Sequence, residues 1–136
     1  MDKNVTFAQK NIALLSGRIL LSLLFLFSGV LKFMMGPQMA GMLGQVGLPA
    51  PHLMVYLIGL CEVVGGLALV AGYQTRTVAV LLAIWCVATG FVAHMGDPLT
   101  LLKNIGLAGG FIILAATTPG SLALDWRRRG ALASQN

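Results

Sequence analysis

Residues 53–71 read LMVYLIGLCEVVGGLALVA, and this stretch decides the fold class. Nineteen helical residues extend about 28 Å, close to the ~30 Å hydrocarbon core of a bilayer. The apolar residues form a continuous block rather than a one-sided stripe, and Glu62 is the only charged residue in it. The stretch therefore predicts a membrane-spanning helix.

Three further apolar blocks predict the other helices of a bundle, at about 12–35, 77–95 and 98–118. All five prolines lie at or beyond the ends of the four blocks, where a missing backbone N–H is tolerated. Asp97 followed by Pro98 is typical of a helix start. The expected fold is all-α, an integral membrane four-helix transmembrane bundle in one domain, residues 1–136.

The composition excludes a soluble domain. The chain is 57% hydrophobic and 10% charged, and its mean hydropathy is +0.87, whereas soluble domains carry roughly 25% charged residues. The net charge of +5 could indicate nucleic acid. However, the run Arg127–Arg129 flanks an apolar block, and no aromatic residues interleave it as a single-strand-binding surface requires. We therefore expect the lipid bilayer as partner and no nucleic acid.

The basic residues predict the orientation. With a cytoplasmic N-terminus, six of them lie inside and only two lie toward the outside. The inner set is Lys3, Lys10, Arg76 and Arg127–Arg129, and the outer set is Lys32 and Lys103. Lysine and arginine are enriched on the cytoplasmic side of membrane proteins. We therefore expect a multi-pass protein of the cell inner (plasma) membrane with both termini cytoplasmic.

The connector between the first two helices, residues 36–52, has an unusual composition. It contains four glycines and three prolines, and His52 is its only ionisable side chain. Its apolar residues, such as Met39, Met42 and Leu43, predict an interfacial loop that lies on the membrane surface or dips into it. A solvated connector is the alternative for a segment of this composition.

Ionisable side chains inside membrane spans are costly and by default mark function. Glu62 lies near the middle of its helix, so its carboxyl must be protonated, or paired and hydrogen-bonded. Counted from the inner surface, Arg18 comes within about one turn of Glu62, and we expect a structural ion pair between them. Lys32 and Lys103 are the next choices for the partner of Glu62. The sequence does not decide whether Glu62 has a functional role or only stabilises the bundle.

Arg18 also belongs to a stripe on the first helix. Residues with three- and four-residue spacing share one helical face, here Arg18, Ser22, Phe25, Gly29 and Lys32. A face of basic, small and aromatic residues is expected to contact the other helices rather than lipid.

Four polar residues fall in the outer half of the bundle, above Glu62: Lys32, His94, Lys103 and Asn104. With Glu62 as floor, they predict a basic, outward-facing ligand-binding pocket. Such a pocket suits an anionic or quinone-like, polar-headed lipophilic molecule. The alternatives are that Lys32 extends to the membrane surface and that His94 is an interfacial packing residue.

The sequence demonstrates no cofactor, and a quinone is the one candidate. Cys61 and Cys86 fall at similar depth in neighbouring helices, but thiols within a bilayer mostly behave as small apolar residues, so a redox role stays open. Two cysteines cannot hold an iron–sulfur cluster, and His52 and His94 lie at outer ends rather than in a haem-ligating pair. We expect no metal.

The ordered set of polar and glycine residues resembles the DoxX family. The first part of the likeness runs from Arg18 through Ser28-Gly29 and Lys32 to Gly47-Leu48-Pro49. It continues with Glu62, Gly65-Gly66, Gly72 and Thr75-Arg76, and ends with His94, Lys103-Asn104 and Gly109-Gly110. The resemblance covers about residues 12–126. It implies a small four-helix membrane protein whose relatives are linked to quinol oxidase and thiosulfate–quinone chemistry and to complexes handling oxidative stress.

Three functions remain in competition. The first is a redox-associated membrane subunit that binds a quinone-type molecule in the outer pocket. The second is a non-enzymatic assembly or interaction protein with a membrane protein partner or a second copy of itself. The third is a small transporter in which Glu62 is the proton-coupled group. The sequence does not decide whether the protein is an enzyme.

Overall fold

The computed structural model of the protein describes residues 6–134, which form helices and connecting turns without a β-strand. The helices are α1 (Phe7–Met34), α2 (Gly36–Gln45), α3 (Pro51–Ala71), α4 (Thr75–Ala93), α5 (Pro98–Ala116) and α6 (Leu124–Ala133). Lys3, one of the basic residues used to predict the orientation, lies outside the described residues.

Four of these helices, α1, α3, α4 and α5, are long and apolar enough to cross a membrane. This confirms the predicted four-helix membrane bundle. α1 begins at Phe7, earlier than predicted, because Thr6 and Gln9 form a capping box in which each side chain bonds the other residue's backbone N–H. α5 begins at Pro98 with Asp97 as its N-cap, as predicted.

The bundle consists of two helix pairs. α1 packs along α3 and α4 packs along α5, whereas the two pairs touch each other less extensively. Between the pairs, Phe25 of α1 and Phe111 of α5 meet edge to face with their ring centroids 5.4 Å apart. Successive spans run in opposite directions. We call the end of the bundle at the start of α1 the terminal end, and the opposite end, where α1 meets α2, the loop end.

The connector at the loop end is more ordered than predicted, because residues 36–45 form the helix α2. A ten-residue helix is marginal in isolation and needs tertiary contacts. α2 obtains them mainly from α3. Gly36 lies against the hydroxyl end of the Tyr56 side chain, where an added Cβ would come within 2.7 Å of the ring carbon Cζ. The glycine at this position therefore permits the close approach, which a composition-based prediction of a loop does not capture.

The C-terminal segment, residues 117–125, folds across the terminal end. Its Ser121 N–H donates to the Asn11 side chain of α1 over 2.9 Å. The Asp125 carboxylate accepts from the N–H groups of Gln74 and Thr75, both at 2.8 Å, and so caps α4 from outside that helix. Burial tends to raise the pKa of Asp125, but these N–H groups, the nearby Thr75 hydroxyl and the charge of Arg129 together outweigh it and hold the pKa below its ordinary value. Both described ends of the chain therefore lie at the same end of the bundle.

Candidate functional site: a buried Lys32–Glu62 pair

Glu62 lies at the centre of the buried face of α3. The buried residues of this helix recur at three- and four-residue spacing and are Val55, Gly59, Glu62, Gly66 and Leu69. Glu62 is eleven residues from Pro51 and nine from Ala71, so each helix end is about 14–16 Å away along the axis. A carboxylate at this depth requires partners, since an uncompensated charge in a bilayer is costly.

The partner of Glu62 is Lys32. The ammonium group of Lys32 lies 2.8 Å from Glu62 Oε2 and also donates to the Ser28 hydroxyl at 2.7 Å. The Trp85 indole N–H of α4 donates to Glu62 Oε1 at 3.3 Å. The side chains of Lys32 and Glu62 are 16% and 8% exposed. Three helices thus supply one polar network within an apolar bundle, and Lys32 keeps a small accessible surface.

Two glycines bring α1 and α3 close enough for this pair. A Cβ added to Gly29 would lie 2.6 Å from Val63 Cγ2 and 2.8 Å from the Gly59 carbonyl oxygen. A Cβ added to Gly59 would lie 3.0 Å from Lys32 Cβ. The backbones therefore touch one turn from the ion pair, as small residues allow in membrane helix contacts. The stripe predicted on α1 does face the other helices, since Arg18, Ser22, Phe25 and Gly29 are all buried.

Arg18 does not pair with Glu62, contrary to expectation. The Arg18 guanidinium is fully buried at the terminal end and donates to the carbonyl oxygens of Leu69 at 3.5 Å and Leu122 at 3.4 Å. Leu69 lies seven residues beyond Glu62 on α3, a distance of about 10 Å along the helix. Arg18 thus binds the end of α3 and the C-terminal segment, and its role in this structure is to hold the terminal end together.

The direction of helical side chains explains the difference. Side chains on a helix tilt toward its N-terminus. α1 and α3 run in opposite directions, so Lys32 tilts from the loop end inward while Glu62 tilts toward the loop end, and the two converge. Arg18 tilts toward the terminal end and diverges from Glu62. Counting depth by residue number ignores this tilt.

The other predicted pocket residues lie at the loop end but do not join the network. No hydrogen bond or ion pair within residues 6–134 connects His94, Lys103 or Asn104 to Lys32 or Glu62. Asn104 donates from its side chain to its own helix, and His94 is half-buried at the end of α4.

Lys103 is exposed and lies close to a different carboxylate, that of Asp97. Hydrogen bonds from Thr100 chiefly lower the pKa of Asp97, and the charge of Lys103 adds to the effect. The basic groups at the loop end are therefore distributed over its surface rather than gathered above Glu62.

Trp85 is the network member that sequence reasoning did not identify. Its side chain is half-buried in α4, one residue before the buried Cys86. A signal was available, because a tryptophan in the middle of a membrane span carries an N–H that needs an acceptor. Glu62 was the only acidic side chain within the predicted spans.

The two cysteines are free thiols in different environments, Cys61 exposed on α3 and Cys86 buried in the core. Within the described part of the chain, no group of three or more His, Cys, Asp or Glu side chains is placed to hold a metal ion.

Two cavities lie away from the ion pair. One, of about 220 Å³, is at the terminal end between the start of α4 and the end of α5. The other, of about 420 Å³, is an apolar groove on the outer face of α4 and α5, lined by residues such as Ala83, Ala88 and Ala108.

The comparisons with known proteins agree with this architecture. The family model described as DoxX matches residues 13–95. Inner membrane protein YphA of Escherichia coli (strain K12) is 31% identical, across 88% of this chain and 93% of that protein. Inner membrane protein YqjF of the same organism is 32% identical, across 85% of this chain and 92% of that protein. No solved structure matches the chain. From the family match and the near-complete coverage of these relatives, the chain belongs to the DoxX family.

Proposed function

We propose that this protein resides in the bacterial inner membrane and binds the polar head of a quinone-type lipophilic molecule at the Lys32–Glu62 pair, as part of a redox-associated membrane assembly. Both E. coli relatives are named inner membrane proteins. The observation that supports the ligand site is the polar network itself, which lies deep in an apolar bundle while the Lys32 side chain keeps 16% of its surface exposed. Intramembrane ionisable groups by default mark ligand or proton sites.

The network offers the groups that a quinone head needs. The Lys32 ammonium has three N–H donors, of which Glu62 and Ser28 take two, so the third is available to a quinone carbonyl oxygen. The Glu62 carboxylate accepts from Lys32 and Trp85 and has further lone pairs for a quinol hydroxyl. The molecule's apolar tail would lie among the spans. His94, Lys103 and Asn104 would contact only a ligand that extends along the loop end. Electron transfer belongs to a partner in this proposal, and the chain itself holds the head.

The ligand site is tested by fluorescence. The chain has two tryptophans, so a Trp126→Phe background leaves Trp85 as the only reporter. A short-chain ubiquinone, titrated into the purified protein in detergent, is expected to quench Trp85 saturably. Adding Lys32→Met and Glu62→Gln together removes both charges without leaving either one unpaired. This pair of changes is expected to weaken binding at least tenfold, which is ~1.4 kcal/mol of binding free energy.

Lys103→Met in the same background is the matched control, because it removes a loop-end charge outside the network. It should leave the affinity unchanged. Quenching that never saturates, or that is the same with and without the Lys32–Glu62 pair, contradicts the proposal.

A second candidate function, an assembly or interaction protein, is favoured by the apolar groove on α4 and α5. Ala83, Ala88 and Ala108 stand among larger apolar side chains in this groove, and such small residues allow close approach of another membrane helix. A stable protein partner recovered by gentle purification, together with no quinone binding, would favour this function over the first.

We also propose that the terminal end faces the cytoplasm. Of the basic residues described, Lys10, Arg76 and Arg127–Arg129 lie at this end, whereas Lys103 lies at the loop end and Lys32 is engaged with Glu62. Green fluorescent protein fused after the last residue should fluoresce, and alkaline phosphatase inserted at Gly47 should be active. Activity of a phosphatase fused to the C-terminus would contradict the orientation.

A further inference from the structure

The cavity at the terminal end contains charged groups that the proposed ligand site does not use. It is lined by Arg76 and Arg129, by Asp125, and by the end of α5 with the residues that follow it. Two positive charges face one negative charge, so the cavity carries one net positive charge. Its volume of about 220 Å³ is below the ~300 Å³ at which pockets for drug-sized molecules begin. A small anionic group fits these properties.

Backbone donors at the start of α4 point to the same chemistry. The first N–H groups of a helix lack intrahelical acceptors, and a helix N-terminus favours negative charge. Asp125 takes the N–H groups of Gln74 and Thr75. The next two, those of Arg76 and Thr77, have no acceptor within residues 6–134. Asp125 therefore satisfies only half of the N–H groups at this helix end, and one of the two remaining donors belongs to Arg76, which lines the cavity.

An unpaired buried hydroxyl is the independent sign of a ligand. Thr75 lines the cavity and is 2% exposed. Its Oγ1 is close enough to the Asp125 carboxylate to help lower the pKa of Asp125, but this contact falls outside normal hydrogen-bond geometry, and Oγ1 has no other partner within the described residues. Leaving a buried polar group without a partner is energetically unfavourable. A ligand oxygen in the cavity would supply the missing partner.

We infer that this cavity binds one phosphate group. Arginine suits phosphate because its planar guanidinium donates two parallel hydrogen bonds, and helix N-termini bind phosphate with their free N–H groups. The phosphate group belongs either to an anionic lipid headgroup or to a free phosphate compound. The site lies at the terminal end, away from the Lys32–Glu62 pair, and it does not depend on the proposed quinone site.

The experiment uses the full chain in mild detergent and measures its melting temperature, which rises when a ligand binds only the folded state. One arm titrates dioleoylphosphatidylglycerol, with dioleoylphosphatidylcholine as the reference lipid. The other arm titrates sodium phosphate against sodium chloride at equal ionic strength. We expect a saturable rise in melting temperature. A rise with the lipid alone identifies a headgroup, and a rise with sodium phosphate as well identifies a free phosphate group as sufficient.

Variants distinguish a specific phosphate-binding site from general electrostatic attraction of anions to the basic surface. Arg129→Gln and Arg76→Gln are each expected to weaken the apparent affinity at least tenfold. Arg127→Gln is the matched control, because Arg127 belongs to α6 but does not line the cavity. Thr75→Val should weaken binding without lowering the melting temperature of the ligand-free protein. The inference is overturned if neither titrant raises the melting temperature, or if Arg127→Gln reduces the affinity as much as Arg129→Gln.

Discussion

Glu62→Ala is expected to lower the free energy of unfolding by about 3–5 kcal/mol. The change leaves the Lys32 ammonium largely buried without its carboxylate, and removing one member of a buried pair strands an uncompensated charge. The Trp85 N–H loses its acceptor at the same time. Reversible unfolding in mixed detergent, followed by circular dichroism, measures the effect. A loss within about 1 kcal/mol, the range of an exposed pair, would show that the carboxylate is hydrated and contributes little.

A double-mutant cycle identifies the partner of Glu62. Lys32→Ala combined with Glu62→Ala should destabilise by much less than the sum of the single changes, because each alone strands the other's charge. Arg18→Ala combined with Glu62→Ala should be additive, since these side chains share no contact. A large coupling energy between Arg18 and Glu62 would reverse the assignment drawn from the geometry.

Gly29→Ala should separate α1 from α3. In an open helical position this change stabilises by about 0.5–1 kcal/mol through lower chain entropy. At Gly29, however, the new methyl group meets Val63 Cγ2 at 2.6 Å and the backbone oxygen of Gly59 at 2.8 Å. The side chain of Val63 can rotate, but the backbone of α3 must shift, so we expect a net loss of about 1–3 kcal/mol and a longer distance between Lys32 and Glu62.

Gly17→Ala is the control for this prediction. Gly17 lies on the same helix, and a Cβ there would meet no atom within 4 Å. It should be neutral or slightly stabilising in the same unfolding measurement. If Gly29→Ala and Gly17→Ala change the free energy of unfolding by the same amount, the close approach of α1 and α3 at Gly29 does not stabilise the bundle.

The membrane spans could be predicted because hydropathy and helix-breaking residues are local properties of the sequence. The block around Glu62 can be predicted as a membrane helix from its own residues alone, and Asp97-Pro98 by itself indicates a helix start. α2 was not predictable in this way, because it depends on the close packing of Gly36 against Tyr56. These two residues are twenty positions apart in the chain. α6 was missed because its charged sequence indicates only a flanking region, and none of its described residues is buried.

The site was predictable by residue type but not by pairing. The free-energy cost of placing a charge in lipid is enough to predict that Glu62, Lys32 and Arg18 face protein rather than lipid, and all three do. The choice of partner depends on which way each side chain tilts along antiparallel helices, and depth counted in residues does not contain that direction. The dispersed positions of His94 and Lys103 depend on where the end of α4 lies relative to the start of α5. The sequence of either helix alone does not define this arrangement.

The contact between Arg18 and the Leu122 carbonyl has a consequence for synthesis. The two residues are 104 positions apart, and ribosomes add roughly 5–20 residues per second. Arg18 is therefore synthesised roughly 5–20 s before this acceptor exists. During that interval the Leu69 carbonyl is the one of Arg18's two acceptors that is made first, and water or lipid headgroups at the membrane surface, which the long side chain can reach, take the place of the other. We therefore expect the N-terminal helix to reach its final depth only after the segment that contains Leu122 has been synthesised.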